Sequence, residues 1–242
     1  MSSKCANCPI RKLPLFKPMT DSEVSFMERF KIGEMSLQAG TPILSEGANA
    51  PQLFTALSGF GLRYKILESG KRQVLSFVLP GDFIGLQAGV MNRQTHSVEA
   101  TTNMTLCVFN RTELWTLYRE HAERAFDLTW IAAGEERFLS EALAAIGQKS
   151  AFERIAWAFS RLYRRLEGLK MRQGISVPLP FRQQHLADAL GLSLVHTNKT
   201  LARLRDQQLA TWSDGRLSVP DIEALEAEGL VDEASLRQRP LM

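Results

Sequence analysis

A chain of 242 residues, 45% hydrophobic and 23% charged, has the composition of a globular protein with room for two domains. No apolar run approaches the ~20 residues of a membrane span, and Met1-Ser2-Ser3-Lys4-Cys5 lacks the apolar stretch of a secretion signal. Cytoplasmic location without a membrane partner is therefore expected, and the three cysteines of a reducing compartment are free or metal-bound. Residues 1–18 read as an irregular arm with Pro9, Pro14, Pro18 and the pair Cys5 and Cys8. Thr20 and Glu23 then have the spacing of a capping box, which opens a short helix.

From about Glu34 to Phe109 the pattern changes to short strands. Gly40-Thr41-Pro42, Glu46-Gly47, Ser58-Gly59, Ser69-Gly70 and Pro80-Gly81-Asp82 punctuate it about every ten residues. Leu62-Arg63-Tyr64-Lys65-Ile66 shows clean alternation, and Val74 to Leu79 reads as a further strand. Even spacing of this kind predicts a small antiparallel barrel or jelly roll over residues 19–120, whose interior is filled by side chains or holds one small ligand.

Glu113 to about Leu166 reads as helical throughout, with a long helix over residues 121–147 that Gly147 ends. Ala125, Leu128, Ala132, Glu135, Leu139, Ala142 and Ile146 alternate in steps of three and four, the seam of a coiled coil. A helix of roughly 40 Å overhangs a small barrel, so a homodimer is expected. Glu135 would lie in the seam, or Glu136 if the register shifts by one, and two carboxylates meeting there would weaken the dimer. Another helix starts at Ser150, with Ile155, Ala156, Phe159 and Leu162 on its apolar face.

After a short connection from Gly174 to Pro180, Leu186, Ala189 and Leu190 mark one face of a helix that Gly191 stops. Ser193 can cap a second helix, predicted to bury Val195, Leu201 and Leu204 and to present His196, Asn198 and Lys199 outward. This is a helix-turn-helix. Asp214-Gly215 between Leu209–Ser213 and Arg216–Val219 predicts a hairpin, the wing of a winged helix, with Arg216 near its tip. From Lys149 to Arg216 there are 12 basic and 5 acidic residues, a net +7 in a chain of net +3. A basic module on a mildly acidic body is the electrostatic footprint of a DNA-binding domain. Residues 148–242 are assigned to it, with a final acidic helix after Pro220-Asp221 and a frayed end.

A barrel with Pro80-Gly81-Asp82-Phe83-Ile84-Gly85, a long helix, Phe152-Glu153-Arg154-Ile155-Ala156 and Gln184 to Ser193, in that order, resembles the Crp/Fnr family of bacterial transcription regulators. The resemblance covers nearly the whole chain. It implies an α+β protein: an N-terminal jelly-roll barrel, a long dimerisation helix and a C-terminal winged helix-turn-helix. It further implies a homodimer on a palindromic double-stranded operator, working with RNA polymerase and switched by a signal read in the barrel or arm.

By that resemblance the DNA contacts are Arg182, Gln184, Ser193, Val195, His196, Asn198, Lys199, Arg203 and Arg216. Val195 and Lys199 stand where relatives commonly present Glu and Arg, so the familiar target sequence does not carry over. The effector pocket would include Gly85, Leu86, Arg93, Gln94 and Thr95. Leu86 replaces the glutamate that accepts the ribose hydroxyl in members that bind cyclic AMP, which disfavours that ligand and leaves others open. Oxygen-sensing members hold an iron–sulfur cluster on three N-terminal cysteines and one in the barrel. Cys5, Cys8 and Cys107 match three of these, with Pro14 at the fourth. An iron–sulfur cluster or another thiolate-bound metal is one reading; a buried structural Cys107 beside an unliganded arm is the other.

No nucleophile elbow, Walker loop or zinc-hydrolase helix appears, so no enzymatic activity is expected. The competing reading of the whole is a constitutive DNA-binding dimer whose barrel binds no effector.

Overall fold

Thr20 and Glu23 close the box that their spacing predicts: Thr20 N–H donates to Glu23 Oε2 at 2.7 Å, and Glu23 N–H donates to Thr20 Oγ1 at 3.3 Å. This starts α1 (Asp21–Phe30) in a computed structural model that describes residues 3–231 and 238–242. β1 (Lys31–Leu37), β2 (Pro42–Leu44), β3 (Gln52–Ser58), β4 (Gly61–Ile66), β5 (Arg72–Val78) and β6 (Phe83–Ile84) follow. After α2 (Leu86–Met91) come β7 (Ser97–Ala100) and β8 (Met104–Asn110). They form two four-stranded sheets, β1-β8-β3-β6 and β2-β7-β4-β5, with antiparallel pairing throughout. Phe54, Ala56, Ile84, Leu106 and Val108 from the first sheet meet Leu44, Val78, Val98 and Ala100 from the second in one apolar core. This is the predicted jelly roll.

The alternation predicted for Leu62 to Ile66 fails in the middle. A bulge between Arg63 and Tyr64 breaks the register with β5, as bulges re-aim side chains. Arg63 is buried and Ile66 is half exposed, the reverse of a clean alternating strand.

Strand β3 is buried over five consecutive residues, Leu53–Leu57. One face supplies the core; the other needs a separate cover. Phe30 of α1 stacks on Phe109 at 5.0 Å. The arm lies over Cys107, and Phe16 packs on Gly81 so closely that a Cβ there would sit 2.2 Å from the ring.

The end of the chain completes this cover, contrary to the expected fraying. Residues 232–237 lie outside the described residues, but Leu241 and Met242 are 4% exposed. Phe16 bridges Arg239, Lys17 N–H donates to Arg239 O at 2.9 Å, and Arg239 pairs with the buried Asp82 at 3.0 Å. Thr55 Oγ1 donates to Met242 O, and buried Arg124 donates to Leu241 O. Sequence alone favours fraying because four residues have no periodicity to read.

The helical run is interrupted at His121 (φ −135°), which separates α3 (Leu114–Glu120) from α4 (Ala122–Gln148). α4 runs one residue past Gly147, the predicted break. Within the single chain, the residues of the expected seam divide between buried and exposed positions. Leu128, Ile131 and Ala145 are buried against the protein's own chain, whereas Leu139 and Leu143 are 49% and 73% exposed. The exposed stripe is Thr129, Ala132, Glu136, Leu139 and Leu143, whereas Leu128 of the expected seam is buried and Glu135 and Ala142 are half-buried.

Contacts divide the chain into two units, Met1–Lys12 with Phe16–Glu136 and Gln238–Met242, and Leu13–Leu15 with Arg137–Arg237. The second contains α5 (Ala151–Gly168), β9 (Ser176–Pro178), α6 (Gln183–Leu190), α7 (Leu194–Asp206), β10 (Thr211–Ser213), β11 (Arg216–Ser218) and α8 (Ile222–Glu228). β9 lies within the segment predicted as a plain connection. It pairs with β11, which makes the wing three-stranded, in the order β10-β11-β9.

Asp82 holds both the Leu79 N–H, at 2.9 Å, and the Arg239 guanidinium. Asp82→Ala leaves a part-buried cation and a buried N–H without their acceptor. A loss of about 3–5 kcal/mol is expected, read as a lower urea midpoint for the barrel by circular dichroism. Asp82→Asn should lose less.

Candidate functional site

The helix-turn-helix is assembled by helix ends. Ser150 and Glu153 form a second capping box, with Ser150 N–H donating to Glu153 Oε2 at 2.7 Å, which opens α5. Next in that helix, Arg154 donates to Leu190 O at 2.7 Å and to Lys149 O at 2.9 Å. One guanidinium thus caps the C-terminal carbonyls of α6 and α4, where a cation is favoured. Gly191 takes φ +65° and ends α6. Ser193 Oγ accepts from His196 N–H at 3.2 Å and starts α7.

Of the face predicted for α7, Leu204 is buried and Leu201 half-buried, but Val195 is not. Thr197 and Thr200 are 0% and 6% exposed beside Leu204, while Val195 is 66% exposed. The buried hydroxyls are satisfied within the helix: Thr197 Oγ1 donates to Ser193 O at 3.0 Å and Thr200 Oγ1 to His196 O at 2.9 Å. That local pairing is what lets threonine occupy a core position.

His196, Asn198, Lys199 and Arg203 are exposed on α7, as are Arg182 and Gln184 at the start of α6. Gln184 Nε2 donates to Asp188 Oδ1 at 2.6 Å. Arg203 lies over the Phe152 ring at 4.2 Å, so its guanidinium also packs the domain. His185 is buried and accepts from Arg182 N–H through Nδ1 at 3.3 Å, an internal role.

Asp214 (φ +50°) and Gly215 (φ +69°) make the tight turn of the wing. Arg216 is half-buried and reaches Ser176 O on β9 at 3.4 Å, so it begins the returning strand and does not project from the tip. Trp212 Nε1 donates to Leu179 O at 2.9 Å, and the ring meets Phe159 edge-on, which anchors the wing on α5.

In the barrel, Gly85 and Leu86 begin α2, and Arg93, Gln94 and Thr95 lie in the loop before β7. Arg93 is exposed. Gln94 is buried, pairs with His96 at 2.8 Å and leaves its Oε1 without a hydrogen-bond partner. Thr95 bonds Gln87 Oε1 through both N–H and hydroxyl.

Sequence reasoning missed the group beside them. Buried Arg63 donates from Nη1 to both oxygens of Glu135 at 2.8 Å and from Nη2 to Phe83 O at 2.7 Å. His96 is held down at about 4 by burial and by the Arg63 charge, and so is neutral at pH 7. Lys65 pairs with Glu46 at 3.0 Å. The interior cation Arg63 therefore has a carboxylate partner from the same chain. The bulge in β4 is what turns Arg63 inward, and a bulge leaves no mark on an alternating sequence.

Cys5, Cys8 and Cys107 line one cavity of about 20 Å³ together with Lys31 and Glu34. Burial pushes the Cys107 thiol up to about 12, against a smaller opposing effect of Lys31, and burial also raises Cys5. Lys31 donates to Ser3 O at 2.6 Å and Glu34 Oε1 at 2.7 Å. The arm does bring the three thiols together. A four-iron cluster takes four thiolates, and three thiols with an ammonium among them, around a space of roughly one water, do not fit it. Among the described residues no three His, Cys, Asp or Glu side chains are arranged to hold a metal ion. None of the helices, in the described residues, is long and apolar enough to cross a membrane.

Known proteins place these parts. Residues 34–121 match the cyclic nucleotide-binding domain, and residues 153–228 match the Crp-like helix-turn-helix domain. The nitrogen fixation regulation protein FixK of Rhizobium meliloti is 31% identical, over 73% of this chain and 77% of its own length. The transcriptional activator protein FnrL of Cereibacter sphaeroides is 27% identical over 92% of this chain and 90% of its own. The structure of FixK2 from Bradyrhizobium japonicum superposes with a TM-score of 0.73 at 26% identity, covering 84% of this chain and 98% of that one. With the two domains in this order and a helix-turn-helix built on the Arg154 and Ser193 caps, the chain belongs to the Crp/Fnr family of DNA-binding transcription regulators, not enzymes.

Proposed function

We propose that this regulator acts as a homodimer in the cytoplasm, binds a palindromic operator through α7 and works with RNA polymerase. In this reading the arm (1–18) and barrel (19–120) sense a signal, residues 121–147 form the dimer helix, and residues 148–242 bind DNA. The observation that carries it is the exposed row His196, Asn198 and Lys199 behind the Ser193 cap, since such side chains pair with base edges or phosphate. Support for the dimer comes from Leu139 and Leu143 on α4, two large apolar residues that the single chain leaves 49% and 73% exposed. The likeness to FnrL, a transcriptional activator protein, supports partnership with polymerase.

The signal would enter through the barrel loop at Gly85, Leu86 and Gln94 or through the thiols of Cys5, Cys8 and Cys107. Leu86 cannot accept a hydrogen bond, which argues against cyclic AMP. A second reading, constitutive DNA binding with no effector in the barrel, is favoured by the Arg63–Glu135 pair. A chain that neutralises its own interior cation leaves less for an anionic ligand to do.

For the DNA contacts, Asn198→Ala and Lys199→Ala are expected to relax sequence preference, each good base contact being worth about 1–3 kcal/mol. Arg216→Ala should instead weaken all duplexes alike and lower the salt dependence. Fluorescence anisotropy on a selected operator and on random duplex, across a salt series, separates the two patterns.

For the dimer, Glu136→Leu should tighten self-association in sedimentation velocity, because it removes a carboxylate that would meet its copy across the stripe. Glu135→Leu should leave association unchanged and lower barrel stability, because it strips the buried Arg63 of its counter-charge. The opposite assignment of effects would return the seam to the register first read from sequence.

A further inference from the structure

The recognition helix is turned inside out over its first two turns. Thr197 and Thr200, both polar, are buried, while Leu194 and Val195, both apolar, are 39% and 66% exposed. A helix that only had to pack would place these residues the other way round. Exposing a β-branched apolar residue contributes nothing to the stability of the domain, and the buried threonines stand only because their hydroxyls bond back to Ser193 O and His196 O. Leu194 and Val195 are also the first two residues after the Ser193 cap. In a helix-turn-helix, it is the N-terminal residues of the second helix that reach base edges.

Val195 has no donor or acceptor. Set against a guanine, a cytosine or an adenine edge in the major groove, it would leave a base donor or acceptor without a partner. Only one base edge there offers an apolar group, the C5 methyl of thymine. Neighbouring His196, Asn198 and Lys199 are exposed and polar or cationic, which suits the rest of a groove and its phosphates. We propose that Val195, with Leu194 beside it, reads a thymine methyl, so that each half-site carries a T at the place where relatives with a glutamate at this position use a hydrogen bond. The proposal rests on the DNA-binding reading above and names the base that one residue selects. The opposite face of α7 is closed by Thr197, Thr200 and Leu204, so Val195 has no packing role inside its own domain.

The test uses the full chain and an operator selected from random duplex by the unaltered protein. Each thymine of a half-site is replaced in turn by deoxyuridine, which removes the methyl and nothing else. One position is expected to lose about fourfold in affinity, the worth of one buried methyl-sized group, and in Val195→Ala that loss should vanish while the other positions keep theirs. Circular dichroism checks that Val195→Ala is folded, as an exposed site allows. A uniform absence of any deoxyuridine penalty in the unaltered protein overturns the proposal, as does an equal penalty in Val195→Ala. If Val195→Ala changes self-association and leaves the methyl penalty intact, the residue covers a protein surface and the proposal is wrong. Should the unaltered protein bind no duplex at low salt, the DNA-binding reading itself fails, a result distinct from all of these.

Discussion

Both faces of β3 are buried, and a sheet with two apolar faces has to be covered twice. The jelly roll supplies one cover by closing Phe54, Ala56, Leu106 and Val108 into its core. The other face cannot be closed by strands, because the second sheet is already spent. It is closed by α1 through Phe30, by the arm over Cys107, and by Arg239 to Met242 under Thr55 and Arg124. The arm and the far end of the chain are thus parts of the hydrophobic structure and not appendages to it. The cost of such a cover is buried backbone, and two of its carbonyls find side chains: Thr55 donates to Met242 O and Arg124 to Leu241 O.

The second unit answers a different constraint, the unpaired groups that every helix leaves at its ends. Ser150, Arg154, Gly191 and Ser193 settle four of these ends within 44 residues of sequence, and in doing so they fix the turn between α6 and α7. Core packing then needs less from α7 than an amphipathic helix normally gives. That freedom is what allows threonines inward and a valine outward on the one helix that has to meet a groove.

What the sequence revealed follows from how local each signal is. The capping box of Thr20, the helix start at Ser150, the Gly191 stop and the Asp214-Gly215 turn are read within four residues, and all four stand in the structure. The order of jelly roll, long helix and helix-turn-helix was legible because the punctuation and periods change so clearly at Glu34 and Glu113. The burial of α4 was harder to read, because its buried and exposed apolar residues lie on adjoining faces, and a three-and-four spacing drawn across both mixes them. The face of α7 was misread because Val195 is apolar and Thr197 is not, a rule that fails where hydroxyls bond within the helix. Arg63 and Glu135 are 72 residues apart and meet only because of a bulge. The docked Arg239 to Met242 has no periodic pattern at all.

That docked segment sets an order of events during synthesis. Asp82 meets Arg239 across 157 residues, and Thr55 meets Met242 across 187. At ribosomal speeds of about 5–20 residues per second, roughly 8–30 s pass between the making of Asp82 and of its partner. Through most of that interval the face of β3 under Thr55 lacks only the part of its cover that Arg239 to Met242 supply, while the helix-turn-helix and its wing are being made. The helical unit, with its short-range contacts, can therefore finish folding before the domain that precedes it. The barrel thus waits for the last part of its cover on residues made after the helix-turn-helix.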